Sequence, residues 1–152
     1  MSPRHRPPPT SLVVYAKDKE RVSRFYRATL GLEAVESEAS YDRLVGAGIE
    51  LIVHAIPAPL AASIQVTRPP QPREDTPFKP VFECADLRAV RRAARATGGA
   101  LNPARASWRW NGRTLLDGWD PEGNIVQFAK TEALRARPAK RRAGGAATRT
   151  KR

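Results

Sequence analysis

Gln127 is the one polar residue inside an apolar run, in the stretch DGWDPEGNIVQFAK from Asp117 to Lys130. An Asp-Pro-x-Gly-Asn turn launches that run, and the amide either offers a hydrogen bond to a site or points to solvent. A second polar pair stands in GIELIVH, where Glu50, Ile52 and His54 alternate and so share one face of a strand. His54 is a candidate general base, because imidazole titrates near neutrality, or it is a polar residue closing a strand. Tyr15 shares a face with Val13 and Ser11 and could present its hydroxyl to a ligand. In WRWNGR the Asn-Gly pair favours a type I′ hairpin, placing Trp108 and Trp110 on one face. Two such indoles make a platform for a flat or cationic ligand, or cover a core edge or a dimer surface. Arg109 and Arg113 beside them carry the fork that grips a carboxylate. Cys84 falls in an apolar strand and reads as an inert buried thiol, while Glu36, Glu38 and His5 read as solvated. No glycine-rich phosphate loop, nucleophile elbow or zinc-spaced Cys/His cluster is present.

Two similar segments must position these side chains. In SLVVYAKDKERVSRFYRATLGLEAV an apolar strand leads to Asp18, an N-cap, with Glu20 favourable in the first turn. Val22, Phe25, Tyr26 and Leu30 then follow at helical spacing, and Gly31 stops the helix. In KPVFECADLRAVRRAARATGGAL the cap is Asp86, the stripe is Leu87, Val90 and Ala94, and the stop is Gly98-Gly99. Asp18 to Asp86 and Gly31 to Gly99 are both 68 residues apart, the mark of duplicated halves. Strand-like pieces follow each helix: LEAVES, YDRLVGAG and IELIVHAI, then ALNPARAS, WRWNGRTLLDGW and NIVQFAK. Each half reads β-α-β-β-β. The halves are joined by a proline-rich connector with a short edge piece at SIQVT.

The 152 residues suit one domain with a real core, and the predicted fold class is α+β. No apolar run is long enough for a membrane span, and the start lacks the apolar stretch of a secretory signal. One cysteine excludes an internal disulfide and suits a reducing cytoplasm. The net charge of +12 is uneven. Residues from Lys130 onward carry +8 and Arg4 with Arg6 carry +2, which leaves +2 for residues 10–129. The expected organisation is a disordered Pro/Arg-rich arm (1–9), a domain (10–130) and a disordered basic tail (131–152). Within the domain, module one is 10–57, the connector 58–77 and module two 78–130.

Two βαβββ modules, with YAKDKERVSRFYRATLGL opening the first and DGWDPEGNIVQF closing the second, resemble the vicinal oxygen chelate superfamily. That group includes glyoxalase I, extradiol dioxygenases and bleomycin-resistance proteins. The resemblance implies curved mixed sheets whose concave faces form a small-molecule cleft, often across a homodimer. It also implies four metal-ligand positions, seven residues before each cap and in the last strand of each half. These fall on Ser11, Lys79, Glu50 and Gln127. A lysine ammonium has no lone pair and repels a cation, and serine and glutamine are weak donors, so no cofactor is expected. Lys79 is instead expected to face Glu50 across the cleft, with Gln127 bonding one of them. The leading expectation is a metal-free small-molecule binder, sequestering in kind. Its ligand is lined by Ser11, Tyr15, Glu50, His54, Lys79, Trp108, Trp110, Arg113 and Gln127. The alternative is a lyase or an extradiol dioxygenase with a divalent metal on Glu50 and His54. A metal-free enzyme would use Glu50 or His54 as base, with Lys79 stabilising an oxyanion. A weaker alternative is nucleic-acid contact through the tail.

Overall fold

The computed structural model describes residues 10–132. The expectations for the arm, for His5 and for the tail beyond Glu132 lie outside them. The first module runs β1 (Ser11–Ala16), α1 (Lys19–Leu30), β2 (Glu33–Ser37), β3 (Tyr41–Gly46) and β4 (Ile49–Ala55). A short helix α2 (Ala58–Ala61) opens the connector. The second module runs β5 (Val81–Cys84), α3 (Leu87–Ala96), β6 (Ala100–Leu101), β7 (Trp108–Trp110), β8 (Arg113–Trp119) and β9 (Ile125–Thr131).

Each module is one mixed sheet. The first has strand order β1-β4-β3-β2, the second β5-β9-β8-β6, with β7 also paired to β8. In each, the first and last strands are parallel and the remaining pairs antiparallel. Both helices start as their sequence requires: Asp18 accepts from the Arg21 amide and Asp86 from the Arg88 amide. Gly31 ends α1 at φ 67°, a left-handed conformation that side chains with a Cβ resist. Asn111 and Gly112 both have positive φ, as the type I′ turn between β7 and β8 demands.

Two strand expectations are corrected. The stretch ALNPARAS is not one strand: only Ala100 and Leu101 pair, against Trp119 and Gly118. Pro103, which has no amide hydrogen to give, starts a 3-10 turn over Ala104–Ala106. The chain rejoins the same edge of β8 as β7, so β6 and β7 are one edge interrupted. The connector piece SIQVT forms no strand and pairs with neither sheet.

The faces of the sheets are sorted by alternation. Leu12, Val14, Leu51 and Val53 lie in or against the core beneath α1, while Ser11, Val13 and Tyr15 are exposed on the other face. Helices α1 and α3 pack against each other, so the two modules share one continuous core. Tyr26 is central: its ring meets Phe25 and Phe82 edge-on, and its hydroxyl donates to Asp120 Oδ2 at 3.1 Å.

The turn that launches β9 joins the modules as well as reversing the chain. Asp120 is fully buried and accepts from the amides of Glu122 and Asn124 and from Asn124 Nδ2. Burial, opposed by these bonds and by Tyr26, pushes its carboxyl above the usual range. Glu122 reaches the first module, accepting from the amides of Lys17 (3.0 Å) and Asp18 (2.7 Å). A carboxylate thus satisfies donors at the β1–α1 corner that would otherwise be unpaired.

Candidate functional site

The open face of the first sheet carries a closed polar group. Glu50, 7% exposed, accepts from Ser11 Oγ (2.8 Å) on one oxygen and from Arg43 Nε (2.6 Å) on the other. The hydrogen bonds from Ser11 and Arg43 hold its carboxyl below the usual range, against burial. Alternation places Arg43 there, opposite Ile52 and two residues from Val45, the neighbour of Glu50. Further along, His54 lies between two phenol rings, 5.7 Å from Tyr15 and stacked 6.4 Å from Tyr41. Its Nδ1 meets the carbonyl of Ala55 at 3.0 Å. Tyr41 in turn donates its hydroxyl to Glu36, a residue expected to be merely solvated.

The open face of the second sheet carries a matching group with different residues. Asp117 accepts from Lys79 Nζ (3.0 Å) on Oδ2 and from Gln127 Nε2 (2.8 Å) on Oδ1. The Lys79 ammonium also stands 5.6 Å over the ring of Trp108. Arg113 pairs with Glu83 at 2.8 Å and lies 5.3 Å over Trp110. The indoles therefore share one face, as the hairpin requires, but cations of the protein itself already sit on them. Beside this group is a cavity of about 440 Å³, lined by Phe78, Lys79, Asn102, Asp117, Trp119 and Ile125 among others. Phe78, 81% exposed, also lines a smaller cleft of about 290 Å³ with Val13 and Tyr15 of β1. The connector thus brings the two open faces to a shared wall.

These contacts correct the expected pairing of Lys79 with Glu50. Ser11 lies directly beside Glu50 in the parallel pair β1–β4, but the residue beside Gln127 is Val81. The last strand of module two is slid by two residues relative to module one. A count of seven back from the cap therefore lands two residues early, though on the same side of the strand. Lys79 reaches Asp117 instead, and Gln127 donates to Asp117 rather than bonding Glu50 or Lys79. Ser11, Glu50 and Arg43 form one group, Tyr15 and His54 a neighbouring one, and Lys79, Gln127 and Trp108 a third. Sequence reasoning missed Arg43 and Asp117, although Asp117 follows the apolar pair Leu115-Leu116 as a charged residue inside a strand. It also missed Phe78 and Trp119 as cavity walls.

A divalent cation does not suit this donor set. Both oxygens of Glu50 are engaged, one by a guanidinium 2.6 Å away. The Val81 position offers no donor, and Gln127 sits 6% exposed beneath an ammonium–carboxylate pair. Among the described residues no three His, Cys, Asp or Glu are grouped to hold a metal.

The fold has many solved counterparts. A glyoxalase/bleomycin resistance protein/dioxygenase family enzyme from Burkholderia phytofirmans PsJN superposes with a TM-score of 0.58 at 16% identity, over 81% of this chain and 98% of that one. A glyoxalase/bleomycin resistance protein from Albidiferax ferrireducens T118 gives 0.58 at 18%, over 81% and 98%. A genomically encoded fosfomycin resistance protein from Listeria monocytogenes gives 0.57 at 13%, over 82% and 93%. At these identities the likeness is one of fold. No curated protein matches the chain. The sequence itself matches the Glyoxalase-like domain from residue 11 to residue 129, nearly the whole described body, and the chain belongs to that family.

Proposed function

We propose that this protein binds a small organic molecule without a metal, in the sequestering manner of a resistance protein. The observation that carries this reading is the built cavity of about 440 Å³ beside Lys79, Asp117 and Gln127, walled by Phe78 and Trp119. Apolar walls around a few fixed polar groups are what a drug-sized ligand needs. The polar groups arrive already compensated: Asp117 with Lys79, Glu50 with Arg43, Glu83 with Arg113. A charged ligand would have to break a pair, so the favoured ligand is neutral and flat, stacking on Trp119 and hydrogen-bonding at Asn102 or Asp117. A general base at Glu50 is disfavoured, since its carboxylate is doubly bonded and held acidic.

Val13, Tyr15, Val81, Trp108 and Trp110 leave apolar surface open on the two sheets. In this reading a second copy of the chain covers it and completes the cleft. We place the protein in the cytoplasm, where its single thiol stays reduced; no helix among the described residues is long and apolar enough to cross a membrane. The test joins thermal-shift screening with elemental analysis after loading with zinc, nickel, manganese and ferrous iron. The expected result is no retained metal. A neutral aromatic ligand at a hundred times its Kd should stabilise by about 2.7 kcal/mol, and K79M should weaken that ligand. Near one metal per chain, lost in E50A, would overturn the reading in favour of a lyase or dioxygenase.

A further inference from the structure

The +2 of residues 10–129 is not spread evenly over the folded body. Helix α1 exposes Arg24 and Arg27, and helix α3 exposes Arg88, Arg92 and Arg95. The three on α3 are spaced i, i+4, i+7, so they form one stripe opposite the buried Val90 and Ala94. The two helices lie against each other and antiparallel. Ala28 to Leu30, at the end of α1, shares a cleft with Ala85, Asp86 and Ala89 at the start of α3, and the Arg21 guanidinium lies against Gly98 at its end. The exposed arginines thus lie on the solvent sides of two packed helices.

Ion pairs among the described residues involve Lys19, Arg43, Arg68, Lys79, Arg109 and Arg113, and none involves the five arginines above. The carboxylates nearest in sequence are already engaged. Glu20 is an ion-pair partner of Lys19, and Asp86 caps α3 through the Arg88 amide. Solvated helix faces ordinarily mix both signs to limit self-repulsion; the α3 stripe is all cationic, whereas on α1 the exposed Glu20 stands one turn before Arg24.

We infer that the α1–α3 face docks on the sugar-phosphate backbone of duplex nucleic acid. Guanidinium groups grip phosphate oxygens in pairs, a geometry lysine cannot reproduce. The α3 stripe spans roughly 10 Å at 1.5 Å per residue, and α1 runs alongside at about 8–10 Å. A duplex strand offers a phosphate about every 3.4 Å of axis, so three arginines meet about three phosphates. A single strand is the poorer fit, because it is held by aromatic stacking. The large exposed apolar residues, Trp108, Trp110, Tyr15 and Phe78 among them, all lie off α1 and α3. Phosphate contacts alone carry no base readout, so the binding is independent of sequence.

The experiment measures fluorescence anisotropy of a labelled 20-base-pair duplex with the full chain, titrating salt from 50 to 200 mM. Each phosphate contact contributes about −0.9 to the slope of log K against log salt. R88Q/R92Q/R95Q should flatten the slope by about 2.7, and R24Q/R27Q by about 1.8, with unchanged thermal midpoints. A full chain with its Lys and Arg from Arg135 onward changed to Gln should keep this helix-dependent part. Helix variants that bind like the parent would overturn the inference and assign all binding to the tail. Tighter binding to a single strand, or equal competition by polyglutamate, would overturn it in favour of another polyanion. Failure of the parent to bind duplex at 50 mM salt would do so outright.

Discussion

Removing Arg43 is the sharpest test of the first open face, because it leaves Glu50 an anion with one partner. Arg43→Leu keeps the stem's apolar contact and deletes the guanidinium that donates to Glu50 at 2.6 Å. A hydrogen bond between charged groups contributes about 1.5–3 kcal/mol, and orphaning a buried partner adds to the loss. The glutamate is 9% exposed at its side chain and Arg43 27%, so solvent softens the effect to about 2 kcal/mol at pH 7. Glu50→Gln with Arg43→Leu removes both charges and should recover much of that loss. The coupling in the four-member cycle is then about 1–2 kcal/mol. The sign of its pH dependence is fixed by the depressed carboxyl. A group acidified by folding stabilises above its unfolded value, near 4.3, and loses that contribution as pH falls through the folded value. Urea melts of the four proteins at pH 7 and pH 3 measure both. Coupling below 0.5 kcal/mol at pH 7, or coupling undiminished at pH 3, refutes the argument.

Glu122→Gln replaces one acceptor oxygen with an amide donor facing the Lys17 or Asp18 amide, and should destabilise by about 2–3 kcal/mol in a urea melt. Gly99→Ala would drive a methyl into the Phe25 ring and the Trp119 carbonyl at the module junction, for a loss of about 3 kcal/mol. A drop under 1 kcal/mol for either would show the junction to be slack. Burial, together with Glu83 and Asp86, pushes the Cys84 thiol up to about 11. Its reaction with a disulfide reagent at pH 8 should be roughly two orders of magnitude slower in the native than in the unfolded chain.

The frame was legible because its signals are local. Asp18 and Asp86, the Phe25–Tyr26 stripe and Asn111-Gly112 each act within a few residues, and their repetition at one offset gave the second module from the first. The site was less legible because its partners are fixed by strand register. Nothing near Lys79 announces that β9 is slid by two residues against β5, yet that slide sends the ammonium to Asp117. The parallel pairs compound this, since their register is set by packing across a whole helix rather than by a turn of known length. The turn at Asp120 shows the opposite failure. Asp-Pro-Glu-Gly-Asn announces a turn from its residues alone, but only the packed module at its back explains why Asp120 is buried and Glu122 crosses to the β1–α1 corner.

Charge pairing divides the molecule into two sides with different physics. On the open sheets Arg43, Lys79 and Arg113 are each within 3.0 Å of a carboxylate, so their charges are spent inside the protein. On α1 and α3 Arg24, Arg27, Arg88, Arg92 and Arg95 have no such partner among the described residues. Salt should therefore act on one side only. Closely bonded pairs are screened weakly, whereas an exposed unpaired face is screened within a Debye length of about 8–10 Å. Raising salt from 50 to 200 mM should leave the thermal shift from a neutral cleft ligand unchanged while removing duplex binding. The helix variants should likewise leave that thermal shift intact, and K79M should leave the duplex slope intact. A salt-sensitive cleft, or a duplex slope that moves with Lys79, would mean that the two faces form a single electrostatic surface.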